Sequence, residues 1–429
     1  MSGGRCSVGI VFESMFDIDP AASEAQLREL VERCERLKSA AAAAQARVTA
    51  LWAAKRAAAE AAAGMPSRRR GKGLASEIAL ARRDAPVCGN THLGMARALV
   101  EEMPHTLAAL EHGQLSEYRA LLIVRESACL SVEDRRTLDA ELAEVAHGFH
   151  GWGTRRVAAE AKAITARLDA AAVVERNNNA VADRCVTTRP APNGMVYVTF
   201  LMPLTQGIGM YAALKREADL CGDGRSQGQV MTDLAYARIT GRSSTEPVDV
   251  NLNLVLADTT LFGRDDCPGF LAGYGPVPAA VVRHLVGDAV ADEDAKASLR
   301  RLYRHPSSGQ LVAMESRSRI FPKALAAFIG LRDQTCRTPY CNAPIRHTDH
   351  AVPDREGGKT SALNGLGLCE ACNYAKEAPG WRVRTWDDDG THTAEFTTPT
   401  CATYYSIAPP PPGTRITRRT IDLITFEAA

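Results

Sequence analysis

The spacing of apolar residues near the N-terminus predicts one long helix over residues 23–63. Ser23 is a suitable N-cap, and Gly64 followed by Pro66 is a suitable stop signal. Apolar positions alternate at intervals of three and four residues, which is the rhythm of a coiled-coil seam. These positions are Leu27, Leu30, Cys34, Leu37, Ala41, Ala44, Val48 and Leu51. The seam either pairs two chains as a homodimer or packs against residues 74–174 of the same chain.

The periodicity stays helical to about residue 174 and then shortens. Two segments, Val186–Thr188 and Met195–Leu201, flank a Pro-Asn-Gly turn at 192–194 and predict a β-hairpin whose turn has positive φ. Val248–Leu256 begins as a strict alternation, which predicts a strand with one buried face. Further segments indicate a hairpin, a helix and a second hairpin with an acidic turn. They are Leu302–Arg304 with Leu311–Ala313, Phe321–Arg332, and Trp381–Trp386 with Thr391–Phe396.

These patterns predict a mainly α N-terminal region, a small mixed α+β middle and a separate C-terminal module. The predicted boundaries are 1–22 for a flexible N-terminus, 23–64 for the long helix and 74–180 for a helical domain. They continue with 181–330 for the mixed α+β region, 331–385 for the C-terminal module and 386–429 for a hairpin and Pro-rich tail. With 429 residues, the chain is long enough for two or three domains.

Composition narrows the function classes. The net charge is only +1, so any nucleic-acid-binding surface must be local. No apolar run reaches 18 residues, so we expect no membrane-spanning helix. The first 20 residues lack the long apolar region of a secretory signal, and we therefore expect a cytoplasmic protein.

Four of the 12 cysteines form two close pairs, whereas the other eight are scattered singly. The pairs are Cys336 with Cys341 and Cys369 with Cys372. In a reducing compartment such pairs indicate metal binding, and four thiolates complete a closed tetrahedral zinc shell. A lone C-x-x-C could instead be a redox dithiol, but this would leave the first pair unexplained. The sequence therefore predicts one structural zinc ion.

The residues between the two pairs carry candidate chemistry. A strand after Pro344 should contain Asp349 and His350, and a second short segment contains Asn364. A helix begins near Asn373. A strand, a loop, a strand and a helix tied by zinc form a ββα-metal arrangement.

This stretch of about 45 residues resembles the HNH endonuclease family, whose zinc-bound fold is treble-clef-like. The family motif runs Asp-His, then Asn, then His or Asn one residue after the last zinc cysteine. The whole chain resembles a bacterial group in which a long helical N-terminal domain of unknown function precedes a C-terminal HNH module. The resemblance implies a nuclease that hydrolyses phosphodiester bonds in DNA, with double-stranded DNA as the expected partner.

Roles follow by matching positions to the family motif. His350 would be the general base, because the pKa of a histidine is ordinarily near neutrality. Asp349 and Asn373 would hold one catalytic Mg²⁺ or Mn²⁺, and Asn364 would hold the loop. His347 stands where many members have an acidic residue, and it is either a ligand or structural. The expected DNA contacts are Arg346, Arg355, Lys359, Lys376, Arg382 and Arg384, with Arg317, Arg319 and Lys323 in reserve.

In the alternative interpretation, the module has the HNH fold but no catalytic activity. The module would then be a zinc scaffold in a non-catalytic protein that binds DNA or another protein. Scaffolding needs only the cysteines, whereas it gives no reason for Asp349, His350 and Asn373 to occur together. The sequence therefore favours the enzyme.

Overall fold

The computed structural model describes residues 18–243, 254–262, 265–291, 320–388 and 391–410. These residues are mostly helical and include four small antiparallel sheets. The chain divides into two compact units. Unit 1 contains residues up to 71 together with 90–176, and unit 2 contains 72–89 together with the rest of the chain from 177. The domain boundaries drawn from the sequence stay predictions.

Unit 1 is a helical assembly around one apolar core. Its helices are α1 (Glu24–Ala62), α3 (Gly89–Arg97), α4 (Pro104–Glu111), α5 (Glu117–Glu126), α6 (Val132–Ala146), α7 (Thr154–Leu168) and α8 (Ala170–Ala180), the last continuing into unit 2. A π-helical segment, Ala98–Glu102, lies between α3 and α4. Leucine, methionine and alanine side chains from these helices and their connections fill the core, together with Phe149 and Trp152 from the segment between α6 and α7. The predicted helical N-terminal region is confirmed.

Helix α1 begins where the sequence signal places it. The Ser23 hydroxyl accepts a hydrogen bond from the Gln26 N–H, and the Gln26 side chain accepts one from the Ser23 N–H. Such a reciprocal capping box satisfies two donors that the first helical turn leaves without partners. The helix ends at Ala62, and Gly64 follows with φ of 73°. The prediction for residues 23–63 is confirmed.

The face of α1 that packs on α4 differs from the predicted seam. The buried residues are Ser39, Ala42, Ala43, Ala46, Thr49, Ala50 and Ala53. Leu27, Val48 and Leu51 of the seam are exposed. Leu30, Cys34 and Leu37 of the seam are half-buried, and the other five seam positions are exposed. The contact with residues 74–174 therefore involves mainly a neighbouring face of small residues, which allow a closer helix approach, and only part of the predicted seam. The hypothesis that the seam pairs two chains stays a prediction.

The second stretch of unit 2, from residue 177, contains the predicted hairpin. Strands β1 (Cys185–Pro190) and β2 (Val196–Leu201) pair antiparallel, with φ of 62° and 75° at Asn193 and Gly194 in the turn. Both the hairpin and its positive-φ turn are confirmed. The following elements are α9 (Leu204–Leu220), α10 (Gln227–Thr240), β3 (Leu254–Val255), α11 (Asp258–Phe262), β4 (Gly269–Leu271), β5 (Gly275–Val277) and α12 (Ala279–Ala291).

Some predictions for the middle and the tail fall on undescribed residues. Most of the predicted Val248–Leu256 strand lies outside the described residues, of which β3 keeps two. The hairpin expected over 302–313, the reserve residues Arg317 and Arg319, and most of the Pro-rich tail also lie outside them.

The C-terminal module contains one helix, two short strands, another helix and a three-stranded sheet. Its elements are α13 (Lys323–Asp333), β6 (His347–His350), β7 (Gly365–Leu368), α14 (Glu370–Lys376), β8 (Arg382–Asp388), β9 (Thr391–Thr397) and β10 (Thr403–Ile407). Strands β6 and β7 pair antiparallel, with Asp349 opposite Leu366. The helix from about residue 321 and the β8–β9 hairpin are confirmed. Strand β10, which was not predicted, pairs with β9 ahead of the Pro-rich tail.

Helix α2 (Leu74–Ala81) comes from the N-terminal half of the chain but packs in unit 2. Leu80 contacts Ala378 and Trp381 in a small apolar cluster. Gly73 precedes α2 with φ of 79°, and a Cβ there would lie 2.6 Å from the Trp381 Nε1. Glycine is therefore required at this position by both conformation and close approach. Among the described helices, none is both long and apolar enough to cross a membrane.

Candidate metal centre and active site

The two cysteine pairs converge on one point. The sulfur atoms of Cys336, Cys341, Cys369 and Cys372 all lie within 4.8 Å of one another, and Cys341 Sγ is 3.8 Å from Cys369 Sγ. Four sulfurs at 2.3 Å from a tetrahedral zinc would be roughly 3.8 Å apart. The cluster could therefore hold a structural metal ion such as zinc.

Local backbone geometry builds the first cysteine pair. The Cys336 N–H donates to the Ala343 carbonyl at 2.9 Å, and the Cys341 N–H donates to the Thr338 carbonyl at 3.0 Å. Tyr340 takes a left-handed conformation with φ of 63°, which closes the turn between the two thiols. Side chains from β7, β8 and β9 pack around the sulfurs and bury three of the four.

The thiols share their protons unevenly. Hydrogen bonds from the Cys341 and Cys372 thiols lower the pKa of Cys336 to about 2. The hydrogen bond to Cys336 raises the pKa of Cys341 to about 12 and raises that of Cys372 as well. A cation bound by all four sulfurs would displace the thiol protons.

A buried ionic network joins α13 to the strands beyond it. Asp333 pairs with Arg332 at 2.7 Å and with Arg337 at 2.8 Å, and it accepts the Gly367 N–H at 2.7 Å. Burial alone would raise the pKa of Asp333, but the two guanidinium groups and the Gly367 N–H hold it below its ordinary value. Arg337 also donates to the carbonyl of Ser406 in β10. The network fixes β7 and the three-stranded sheet to the cysteine cluster.

Strand β6 carries the candidate catalytic pair. Asp349 accepts the backbone N–H of His350 at 2.9 Å, and its other oxygen lies 2.9 Å from the Lys376 ammonium. Burial by itself would raise the pKa of Asp349, but the Lys376 ammonium and the His350 N–H outweigh it, so this pKa is lowered. Asp349 is thus an ionised oxygen donor that already has one cationic neighbour.

The His350 ring is buried between two contacts. Its Nε2 lies 2.9 Å from the Thr360 Oγ1, and its Nδ1 lies 3.7 Å from the Asp349 Oδ1. The ring centroid is 4.7 Å from that of Phe321. His347, on the same strand, lies beside Tyr374 of α14, with 6.4 Å between ring centroids.

The two motif asparagines behave differently. The Asn364 side chain accepts the Val352 N–H at 2.9 Å and donates to the carbonyls of Val352 and Lys359. The Asn373 Oδ1 is buried and has no hydrogen-bond partner among the described residues. Buried polar atoms are nearly always paired, so this acceptor is open to a water molecule, another donor or a cation from outside the chain. Helix α14, which carries Asn373, contacts strand β6, which carries Asp349.

The expected DNA contacts divide into exposed and buried residues. Arg346, Arg355, Lys359, Arg382 and Arg384 are exposed, and so is Lys323. Arg355 pairs with Glu377 at 2.9 Å, and Arg384 pairs with Glu395 at 2.6 Å. Lys376 is buried and bound to Asp349 and Glu377, so in this structure it does not present its charge to a phosphate.

Several residues of the site had no sequence signal. Thr360 and Phe321 contact His350 from ten and 29 positions away, and an isolated Thr or Phe carries no recognisable motif. The Arg332–Asp333–Arg337 cluster offered one weak signal. Three charged residues flanking the first cysteine of the cluster predict either a solvated surface or a paired network, and only the fold distinguishes these.

Comparisons with known proteins cover the region before the cysteine cluster. The family model described as a domain of unknown function (DUF222) matches residues 28–333, which is more than half of the chain. No curated protein and no solved structure matches the sequence. The match ends at Asp333, three residues before the first cysteine of the candidate metal centre. The chain therefore belongs to the family described as Domain of unknown function (DUF222).

Proposed function

We propose that the C-terminal module is an HNH-type, ββα-metal endonuclease that hydrolyses phosphodiester bonds in double-stranded DNA. The observation that carries the proposal is the unpaired, buried Asn373 Oδ1 on the helix that contacts the Asp349 strand. Carboxylate and amide oxygens are ligands that suit Mg²⁺ or Mn²⁺. Asp349 and Asn373 therefore fit the catalytic cation that the family resemblance implies. When bound, such a cation would neutralise charge on the phosphate.

The protein's own residues supply the proton transfer. His350 takes a proton from a water molecule, whose oxygen forms a new bond to phosphorus. The bond from phosphorus to the leaving sugar oxygen breaks, and that oxygen takes a proton from solvent. A histidine suits this role because it exchanges protons near neutral pH. The exposed cations Arg346, Arg355 and Lys359 supply candidate phosphate contacts around the site.

One observation favours the non-catalytic alternative. The Lys376 ammonium already neutralises Asp349, and the same ion pair could simply stabilise a zinc scaffold that binds DNA or protein. In that case Asp349, His350 and Asn373 would pack and hydrogen-bond without turnover. The two functions differ in whether removing the His350 imidazole changes a rate.

A plasmid-nicking assay on the full chain with Mg²⁺ or Mn²⁺ tests the proposal. His350→Ala should lower cleavage by roughly 10²–10⁴-fold, the usual contribution of a general base. Zinc content and DNA affinity should be unchanged, because His350 contacts neither the cysteines nor an exposed cation. His284→Ala, in α12, is the matched control and should cut like the wild type. Equal cleavage by His350→Ala and the wild type would favour the scaffold.

A further inference from the structure

The loop between β6 and β7 delivers a hydroxyl to the far side of the His350 ring. Thr360 Oγ1 lies 2.9 Å from His350 Nε2, and both residues are buried, with exposed fractions of 4% and 7%. The opposite nitrogen, Nδ1, faces Asp349 at 3.7 Å. The ring therefore has one nitrogen within hydrogen-bond distance of a partner and one that faces the Asp349 carboxylate.

This geometry selects where a neutral imidazole carries its single proton. A separation of 2.9 Å is a normal hydrogen bond, whereas 3.7 Å is too long for one. The Asp349 oxygen that faces Nδ1 already accepts the His350 backbone N–H. The Thr360 hydroxyl can accept from or donate to Nε2, so it pairs with the ring in either tautomer. A proton on Nδ1, however, would have no acceptor within hydrogen-bond distance among the described residues, because Asp349 Oδ1 is 3.7 Å away. The tautomer that leaves no ring N–H unpaired therefore has its proton on Nε2 and a lone pair on Nδ1. Only an unprotonated nitrogen can accept a proton from water.

The loop that holds Thr360 is itself fixed. The Asn364 side chain donates to the Lys359 carbonyl at 2.9 Å, immediately before Thr360. A Cβ at Gly358 would lie 1.7 Å from the Val352 carbonyl oxygen, so this position admits only glycine and holds the loop close to the strand. These contacts give the Thr360 hydroxyl one defined place beside the ring.

We infer that Thr360 is a positioning residue that sets the tautomer of His350, with Nε2 protonated and Nδ1 free to accept a proton. The inference rests on the proposed function for its consequence, since the tautomer matters only if His350 is a base. The tautomer itself can be measured without any cleavage. The two hypotheses can therefore fail separately.

Nitrogen NMR of the full chain, with ¹⁵N-labelled histidine at about pH 8, tests the tautomer directly. At that pH an ordinary histidine is neutral. The His350 signals are those that disappear in His350→Gln. The wild type and Thr360→Ser should show a protonated Nε2, whereas Thr360→Val should show a mixture or a protonated Nδ1. A protonated Nδ1 in the wild type, or no change in Thr360→Val, would overturn the inference.

Cleavage kinetics then test the consequence. Thr360→Val should lower kcat about tenfold or more while leaving KM and zinc content within about twofold, since it alters only proton transfer. Thr360→Ser should recover most of the rate. In a His350→Ala background, Thr360→Val should have no further effect, because the residue acts through the ring. An equal loss in both backgrounds would mark Thr360 as merely structural.

A second variant covers a failure to fold, and the same samples decide two further outcomes. If Thr360→Val fails to fold, Thr360→Ala removes the hydroxyl with a smaller side chain, and the NMR comparison is made with that variant. If the wild type cuts no DNA but shows the expected tautomers, the proposed function fails and the positioning role stands. If the wild type cuts DNA and the tautomer is unchanged in Thr360→Val, the positioning role fails alone.

Discussion

The Lys376 ammonium lies 2.9 Å from Asp349 and 2.7 Å from Glu377, and its side chain is only 2% exposed. Two unit positive charges 4 Å apart repel each other by about 1 kcal/mol in water and by about 4 kcal/mol near a protein surface. A divalent ion at Asp349 would therefore bind against this charge. Lys376 should weaken metal binding when DNA is absent, and an arriving phosphate should offset it.

Lys376→Met removes the charge while keeping an unbranched side chain of similar length. We expect Mn²⁺ to bind the full chain about tenfold more tightly without DNA, measured by calorimetry on protein whose four-cysteine cluster has first been loaded with zinc. Lys359→Met, which removes an exposed charge from the β6–β7 loop, is the matched control and should change the affinity little. Unchanged or weaker Mn²⁺ binding by Lys376→Met would contradict a cation site at Asp349.

His392 is a buried residue whose charge state links stability to pH. Burial, together with the nearby Arg332 and Arg337, lowers its pKa from 6.5 to about 4. The neutral ring accepts a hydrogen bond from Arg337 at Nδ1 and donates from Nε2 to the Leu363 carbonyl at 2.8 Å. Protonation would set an N–H of the ring against the guanidinium of Arg337.

The sign of the pH effect follows from that lowered pKa. Between pH 6.5 and about 4 the unfolded chain binds more protons at this residue than the folded chain, so the free energy of unfolding falls as the pH falls. Above pH 6.5 His392 is neutral in both states and does not lower the free energy of unfolding. By pH 4 its preferential protonation in the unfolded chain has lowered the free energy of unfolding by about 3 kcal/mol. Hydrogen exchange of the β9 amides, corrected for intrinsic rates, should report it.

His392→Gln is the matched control, because it keeps all four cysteines and therefore the same proton competition for metal. The difference in pH slope between the two chains isolates the histidine. We expect a flatter slope in His392→Gln between pH 6.5 and 4. Identical slopes would mean that His392 is not held neutral by its surroundings.

At the level of elements, α1 presents two distinct faces. The face buried within unit 1 consists of Ser39 and six small residues, whereas the predicted seam is largely on the solvent side. Five of the eight seam positions are exposed among the described residues. Apolar residues repeating every 3.5 positions on an exposed helix face are typical of a helix that pairs with a second helix. The exposed positions Leu27, Val48 and Leu51 are its largest uncovered side chains.

Two charges in this seam should prevent such pairing. Val48→Glu combined with Leu51→Glu should convert a dimer to a monomer, measured as mass by light scattering at tens of micromolar protein. Gln45→Glu adds one charge to the same helix away from the seam and should leave the mass unchanged. A monomeric wild type would remove the dimer hypothesis, and the exposed seam would then need another explanation.

Elements encoded by neighbouring residues were predictable from the sequence. The Ser23–Gln26 capping box and the Asn193-Gly194 turn each use a signal that spans only a few positions. The cysteine cluster was also accessible, because metal chemistry restricts which residue types and spacings occur together. In the first two cases interactions between neighbouring residues decide the structure, and in the third the chemistry of the four thiols does.

Contacts between distant segments could not be predicted in this way. Strand β10 has a short and weakly patterned sequence, and its pairing with β9 depends on the fold around it. Thr360 reaches His350 only because the loop is fixed by Asn364. The packing of α2 in unit 2 likewise depends on Trp381, about 300 positions along the chain. Pairings of this kind are set by tertiary packing and leave no local period in the sequence.

At the scale of the whole molecule, unit 2 is built from two stretches of chain separated by most of unit 1. Helix α2 contributes Leu80 to the cluster with Ala378 and Trp381, and the Glu77 carboxylate accepts the Thr400 N–H at 3.0 Å. Ala378 lies two residues after the end of α14, the helix that carries Cys372. A segment that lies within the DUF222 match therefore supports the candidate metal centre.

One substitution far from the four cysteines in sequence tests this support. Leu80 is completely buried, so Leu80→Ala should destabilise the module by about 2–5 kcal/mol. If the cluster holds about one zinc per chain, local opening should become more frequent, and a chromophoric chelator should remove the zinc at least tenfold faster. Leu107→Ala is the matched control, because Leu107 is equally well buried but belongs to the core of unit 1. It should lower the stability of unit 1 and leave the rate of zinc release near that of the wild type. Equal release rates in Leu80→Ala and the wild type would show that α2 does not stabilise the metal centre, and equal acceleration by both variants would show that the effect is not specific to α2.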